Sequence, residues 1–107
     1  MSPSSGPQPN DASAECVWVF NGAKAKLPAG VFRSREEAEA WIHMRRVSGV
    51  LTRYPLGIAV YDWAVLAGVF RPQHPEQEAP RFIQRFSSAA LEHHHYGFPE
   101  SDPVEEP

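Results

Sequence analysis

The sequence predicts an α+β fold: a small, mainly antiparallel sheet with one main helix packed on one face and a second short helix. Three observations carry that prediction. Two short β-rich apolar runs, Cys16–Phe20 and Val50–Tyr54, are each followed by a terminator, Asn21-Gly22 and Pro55. Between them lies a stretch with apolar residues at helical spacing behind a capping signal. A length of 107 residues has room for one domain and is short for two.

The run Cys16-Val17-Trp18-Val19-Phe20 reads as a buried strand, and Asn21-Gly22 as its turn. Residues 27–32, LPAGVF, supply a short partner strand. Ser34-Arg35-Glu36-Glu37 is a capping box, in which the serine hydroxyl accepts the N3 amide and Glu37 reaches back to the cap amide. The helix that follows is expected over 35–47. Ala38, Trp41, Ile42 and Arg45 share one stripe, with Ala40, Met44 and Val47 widening it. Arg45 and Arg46 suit the negative end of the helix dipole, and Gly49 reads as the stop. Val50–Tyr54 is a second long strand, and residues 56–61 are expected to continue extended. Asp62 reads as the N-cap of a short helix over 63–67 that closes at Gly68. Residues 71–80 form a polar, proline-rich loop. Pro80 then opens a turn of helix carrying Phe82, Ile83 and Phe86, and Ala89–Tyr96 is the last strand.

Charge is partitioned along the chain. All ten bases lie between Lys24 and Arg85, whereas residues 16–96 hold seven of the thirteen acids, so this middle part is +3 against −3 for the whole. Six of the eleven prolines fall outside it. Residues 1–14 contain no large apolar side chain beyond Met1 and are expected to be a disordered tail, residues 15–97 the single domain, and residues 98–107 a second, acidic tail. No secretory leader and no membrane-length apolar run is evident, so the expectation is a cytoplasmic protein that does not engage a membrane. One cysteine excludes an internal disulfide framework and a cysteine-rich zinc site.

The ordered series of motifs is similar to a family of small bacterial domains of unknown function. The matching pieces are Trp18-Val19-Phe20-Asn21-Gly22-Ala23, Gly30-Val31-Phe32 and Ala38-Glu39-Ala40-Trp41-Ile42. They continue with Ser48-Gly49-Val50-Leu51-Thr52, Tyr54-Pro55, Val60-Tyr61-Asp62-Trp63-Ala64 and Gly68-Val69-Phe70, and end with Phe82-Ile83, Glu92-His93 and His95-Tyr96. The resemblance spans residues 17–97 and implies domain limits. It implies no activity.

Four groups of side chains could do chemistry. In His93-His94-His95, strand alternation puts His93 and His95 on one face and His94 with Glu92 and Tyr96 on the other, and two imidazoles two residues apart can chelate a divalent metal. A complete site would need one or two further ligands from His43, Asp62 or Cys16. Asp62, between Tyr61 and Trp63, is read as a helix cap before a base, and Cys16 as a small hydrophobe. Arg45, Arg46 and Arg53, with Arg81 and Arg85 one helical turn apart, could form a basic patch. Twelve aromatic residues supply the core, and Tyr54, Tyr61 and Trp63, beside proline and glycine turns, are candidates to line a groove.

No pair of carboxylates and no nucleophile–base pair marks a catalytic site. The preferred function is therefore a non-enzymatic module that binds another protein, of an immunity or regulatory type, with no cofactor; Arg45, Arg53, Tyr54, Tyr61, Asp62 and Trp63 are its candidate contacts. The alternatives are a metal-binding protein or enzyme using His93 and His95, and a nucleic-acid binder using the arginines.

Overall fold

A computed structural model describes residues 15–99. The expectations for residues 1–14 and 100–107 lie outside it. Strand β1 (Cys16–Gly22) turns back into the short β2 (Gly30–Phe32), helix α1 (Arg35–Arg45) follows, and β3 (Gly49–Pro55) returns. Helix α2 (Val60–Leu66), a 3₁₀ turn at Pro75–Glu78 and the one-turn helix α3 (Pro80–Ile83) precede the last strand, β4 (His93–Tyr96). The strands form one antiparallel sheet in the order β2-β1-β3-β4, so β2 and β4 are its edges. The α+β class and its main helix are as the sequence predicts.

The chain divides into two compact units. The first, here the sheet–helix unit, comprises residues 18–52 and 93–99. The second, the ring unit, comprises residues 15–17 and 53–92.

In the sheet–helix unit, Trp18↔Phe32 and Phe20↔Gly30 set the hairpin register, and Gly49↔Tyr96 to Thr52↔His93 set that of β3 with β4. Alternation along the strands then puts Trp18, Phe20 and Leu51 under α1, where Ala38 and Ile42 are fully buried. Trp41 packs edge-on to Phe20 at 5.7 Å between ring centres. Burying side chains such as Phe20, Ile42 and Leu51 contributes about 1.5–3 kcal/mol each. The apolar face of α1 is narrower than its sequence suggests: Ala40 and Arg45 are exposed, and so is Met44.

The helix begins as expected, with the Glu37 amide donating to Ser34 Oγ at 3.1 Å. Glu37, however, reaches back to the amide of Arg33, at 3.0 Å, one residue before the cap. The helix also ends two residues early. Arg46 takes the left-handed conformation (φ 54°) that closes it, and its guanidinium lies 5.0 Å from the Phe98 ring. Gly49 is therefore not the helix stop. It opens β3, where a Cβ would collide with the Asn21 carbonyl and sit 2.8 Å from Gly22 Cα. Glycine is required there by close approach of two backbones.

In the ring unit a second core gathers Trp63, Ala64 and Leu91, with Tyr54, Ile58, Val60, Phe70 and Phe86 against them. Three local expectations are corrected. Residues 56–58 form a turn (Gly57 at φ 83°) in place of a continued strand. Helix α2 starts at Val60, with Ala59 as an N-cap that has no side-chain bond, so Asp62 is in the first turn and is not the cap. The dipole still favours its carboxylate there. The stretch 71–80 is not all loop, since Pro75–Glu78 is a 3₁₀ turn. Gly68 does end α2: its amide donates to Val65 O at 3.1 Å and that of Val69 to Ala64 O at 3.0 Å, the paired bonds of a Schellman cap. Strand β4 is shorter than the expected run, with residues 89–91 in turn and bend.

Candidate functional site

Pro80 has no amide hydrogen and a fixed φ, which suits it to the first helical position of α3. The turn it starts places Phe82 and Phe86 beside Tyr61 of α2 and Phe70. These four rings are all mutual neighbours, with centroid separations from 4.8 Å (Phe70–Phe86) to 6.3 Å (Tyr61–Phe82). Most pairs are tilted or edge-to-face, which suits the ring quadrupoles, and each adds about 0.5–1.5 kcal/mol beyond area burial. Tyr61 is buried, and its hydroxyl donates to the Gln77 carbonyl at 2.7 Å, tying the 3₁₀ turn to α2. Burial first, and then the Glu78 and Asp62 carboxylates, raise this phenol above its ordinary value of 10.0.

One side of this cluster opens into a groove of about 830 Å³ lined by Glu76, Pro80, Arg81, Phe82, Arg85 and Phe86, with Ser87 also in its wall. Phe82 and Phe86 are half-buried, whereas Arg81 and Arg85 are exposed. Neither arginine has an ion pair or hydrogen-bond partner among the described residues. The groove therefore combines apolar rings with two uncommitted planar cations. A smaller depression, lined by residues including Tyr61, Asp62, Val65 and Leu66, lies in the same unit.

The other sequence candidates are distributed as follows. Trp63 is buried in the second core and Tyr54 packs against it. Asp62 is exposed. Arg53 is engaged: its Nε donates to Cys16 Sγ at 3.1 Å and its Nη1 lies 3.8 Å from the Glu92 carboxylate. Arg45 is exposed on α1. The candidate basic patch is thus drawn from both units, with Arg45 and Arg46 in the sheet–helix unit and Arg53, Arg81 and Arg85 in the ring unit.

On edge strand β4, His93 and His95 share a face, with ring centroids 5.3 Å apart. His94 stacks on Trp18 at 6.1 Å. Among the described residues no group of three or more His, Cys, Asp or Glu side chains converges in a metal-like cluster. Tyr96, on the face of His94, donates its hydroxyl to Glu39 Oε2, which Arg35 Nε also contacts at 3.0 Å. The Tyr96 bond, followed by the Arg35 contacts, holds the Glu39 carboxyl below its ordinary 4.5 against the opposing effect of burial. Burial and then that bond raise Tyr96 above 10.0. His43, one turn beyond Glu39, has its Nδ1 2.7 Å from the Glu39 carbonyl and meets Tyr96 and Phe98 edge-on. This chain of polar contacts fastens β4 to α1.

Sequence reasoning missed two things. The Arg35–Glu39–Tyr96 clamp joins residues 57 positions apart and has no local signal. The groove did leave one, because Arg81/Arg85 and Phe82/Phe86 both recur at a spacing of four after a proline.

The family of the domain of unknown function DUF7710 matches residues 17–102, and the chain belongs to that family. Its span includes Phe98, which packs on the first core and whose amide donates to Ser48 Oγ at 2.9 Å. No curated protein and no solved structure matches the chain.

Proposed function

We propose that this member of the family is a non-enzymatic binding module whose partner is another protein, docked in the groove along α3. The observation that supports the reading is the pairing of half-buried phenylalanines with two uncommitted arginines in one groove. Aromatic and arginine side chains carry a disproportionate share of binding energy at protein interfaces. An immunity or regulatory role in a bacterial cytoplasm is the concrete form of this proposal, and no helix among the described residues is long and apolar enough to cross a membrane. The test is a quantitative pull-down from the native host with the wild-type chain and Ser87→Trp, which fills the groove from an exposed position. A stoichiometric protein partner lost in the variant is expected. A partner retained at the same level, or none recovered with either chain, contradicts the proposal.

A second reading rests on the 5.3 Å approach of His93 and His95 on edge strand β4. There the pair would supply two ligands to a divalent metal. Metal content of untagged protein, with melting temperature before and after chelation, decides it. Stoichiometric metal whose removal lowers the melting temperature supports this reading, because a ligand bound to the native state stabilises it by mass action. Metal-free protein with an unchanged melting temperature ends it.

A further inference from the structure

We infer that the groove takes an extended acidic segment of the partner protein, in which one large apolar side chain is flanked by carboxylates. This rests on the reading of the groove as a docking surface and specifies what docks there. The apolar part of the site, Phe82, Phe86 and Pro80, suits a single hydrophobic anchor. The polar part is unbalanced: Arg81 and Arg85 line the groove against one carboxylate, Glu76. Of the unit's other two arginines, Arg53 is held by Cys16 and Glu92, and Arg71 does not line the groove.

Residues 53–92 hold four bases and four acids, so the positive excess belongs to the groove and not to the unit. A guanidinium presents a planar fork that matches a carboxylate, which a lysine ammonium does not. Nucleic acid fits less well. A phosphate backbone is held by a run of several cations, whereas this groove offers two with Glu76 beside them in a chain of net charge −3.

The test is selection of short random peptides displayed on phage against the full-length chain. Selected peptides are then synthesised and titrated by fluorescence anisotropy against the wild type and three variants. The double variant Arg81→Gln/Arg85→Gln removes the cations, Glu76→Gln removes the opposing carboxylate, and Ser87→Trp blocks the groove. Melting temperatures verify that each variant is folded. The expected peptides combine a large apolar residue with two or more Asp or Glu. Their affinity should fall about five- to tenfold in the double variant, since an exposed ion pair contributes modestly. It should rise in Glu76→Gln, weaken with added salt and vanish in Ser87→Trp.

Peptides without acidic residues, bound equally by the double variant but lost in Ser87→Trp, would overturn the acidic-segment inference and leave the groove as the docking surface. Peptides unaffected by Ser87→Trp, or no enrichment over the bare support, would overturn both. A labelled oligothymidylate that binds the wild type and not the double variant, with no peptide enriched, would replace the peptide with nucleic acid.

Discussion

In the sheet–helix unit, Phe20, Ile42 and Leu51 are at most 1% exposed, and β-ladders and an eleven-residue helix surround them. In the ring unit, Phe70, Phe82 and Phe86 remain half-exposed, and the elements that carry them are a seven-residue helix, a 3₁₀ turn and a single helical turn. The first unit satisfies its backbone through regular pairing and encloses its largest core side chains, although Leu27, Val31 and Met44 are exposed. The second encloses a smaller core of Trp63, Ala64 and Leu91, adds six ring–ring contacts and short helical turns, and leaves ring edges beside arginines that have no partner among the described residues. Segments with few enclosed contacts and short elements open at lower free energy than ladders around a filled core. Under the proposed function, the sheet and helix are the scaffold and the rings are the recognition surface.

The largest expected effect is in the scaffold. Phe20→Ala should cost about 3–5 kcal/mol, the range for emptying a buried phenylalanine site, measured by urea unfolding. Phe70→Ala, from a half-buried ring, should cost about 1–3 kcal/mol. Hydrogen exchange should then show faster opening of α2 amides while those of β1 and β3 keep their protection. Equal costs with simultaneous exposure of both sets would abolish the distinction between the units.

Tyr96→Phe removes the hydroxyl that fastens β4 to α1 and should cost about 1 kcal/mol near neutral pH. Its pH dependence has a defined sign. Glu39 titrates below its ordinary 4.5 in the folded chain, so its contribution is present above that value and is lost as pH falls through the lowered one. Tyr96 titrates above 10.0, so its contribution is present below that value and is lost as pH rises through the raised one. Melting curves of Tyr96→Phe should be flatter than wild type at both ends, and identical profiles would show that the clamp contributes nothing.

The smallest effect is expected from Arg81→Gln/Arg85→Gln. Two exposed side chains with no partner among the described residues should change stability by less than about 0.5 kcal/mol. A larger loss in unfolding experiments would make these arginines part of the ring unit's own packing.

What could be read from the sequence was mainly local. The Ser34–Glu37 cap and the proline that opens α3 depend on neighbours within four residues, and both are present. A β1–β2 hairpin also forms, but its loop is 23–29, and Asn21-Gly22, read as the turn, are the last two residues of β1, which the Phe20↔Gly30 pairing extends past the expected stop. Gly49 was misassigned because its constraint comes from Asn21 and Gly22, far away in sequence. Asp62 was misassigned because an aspartate suits both an N-cap and a first turn, and the apolar Val60-Tyr61 pair before it was not recognised as helix. The arginine and phenylalanine spacing of the groove was visible in the chain. That Phe70 and Tyr61 would complete a four-ring cluster with them was not, because those contacts span between nine and twenty-five residues.

The central claim is that recognition resides in the ring unit. A photo-crosslinking amino acid placed at exposed Ser87 beside the groove, or at exposed Met44 on α1, tests it in the cells that produce the protein. The account predicts a discrete adduct with another protein from position 87 and none from position 44. An adduct from position 44 with none from position 87 would contradict it.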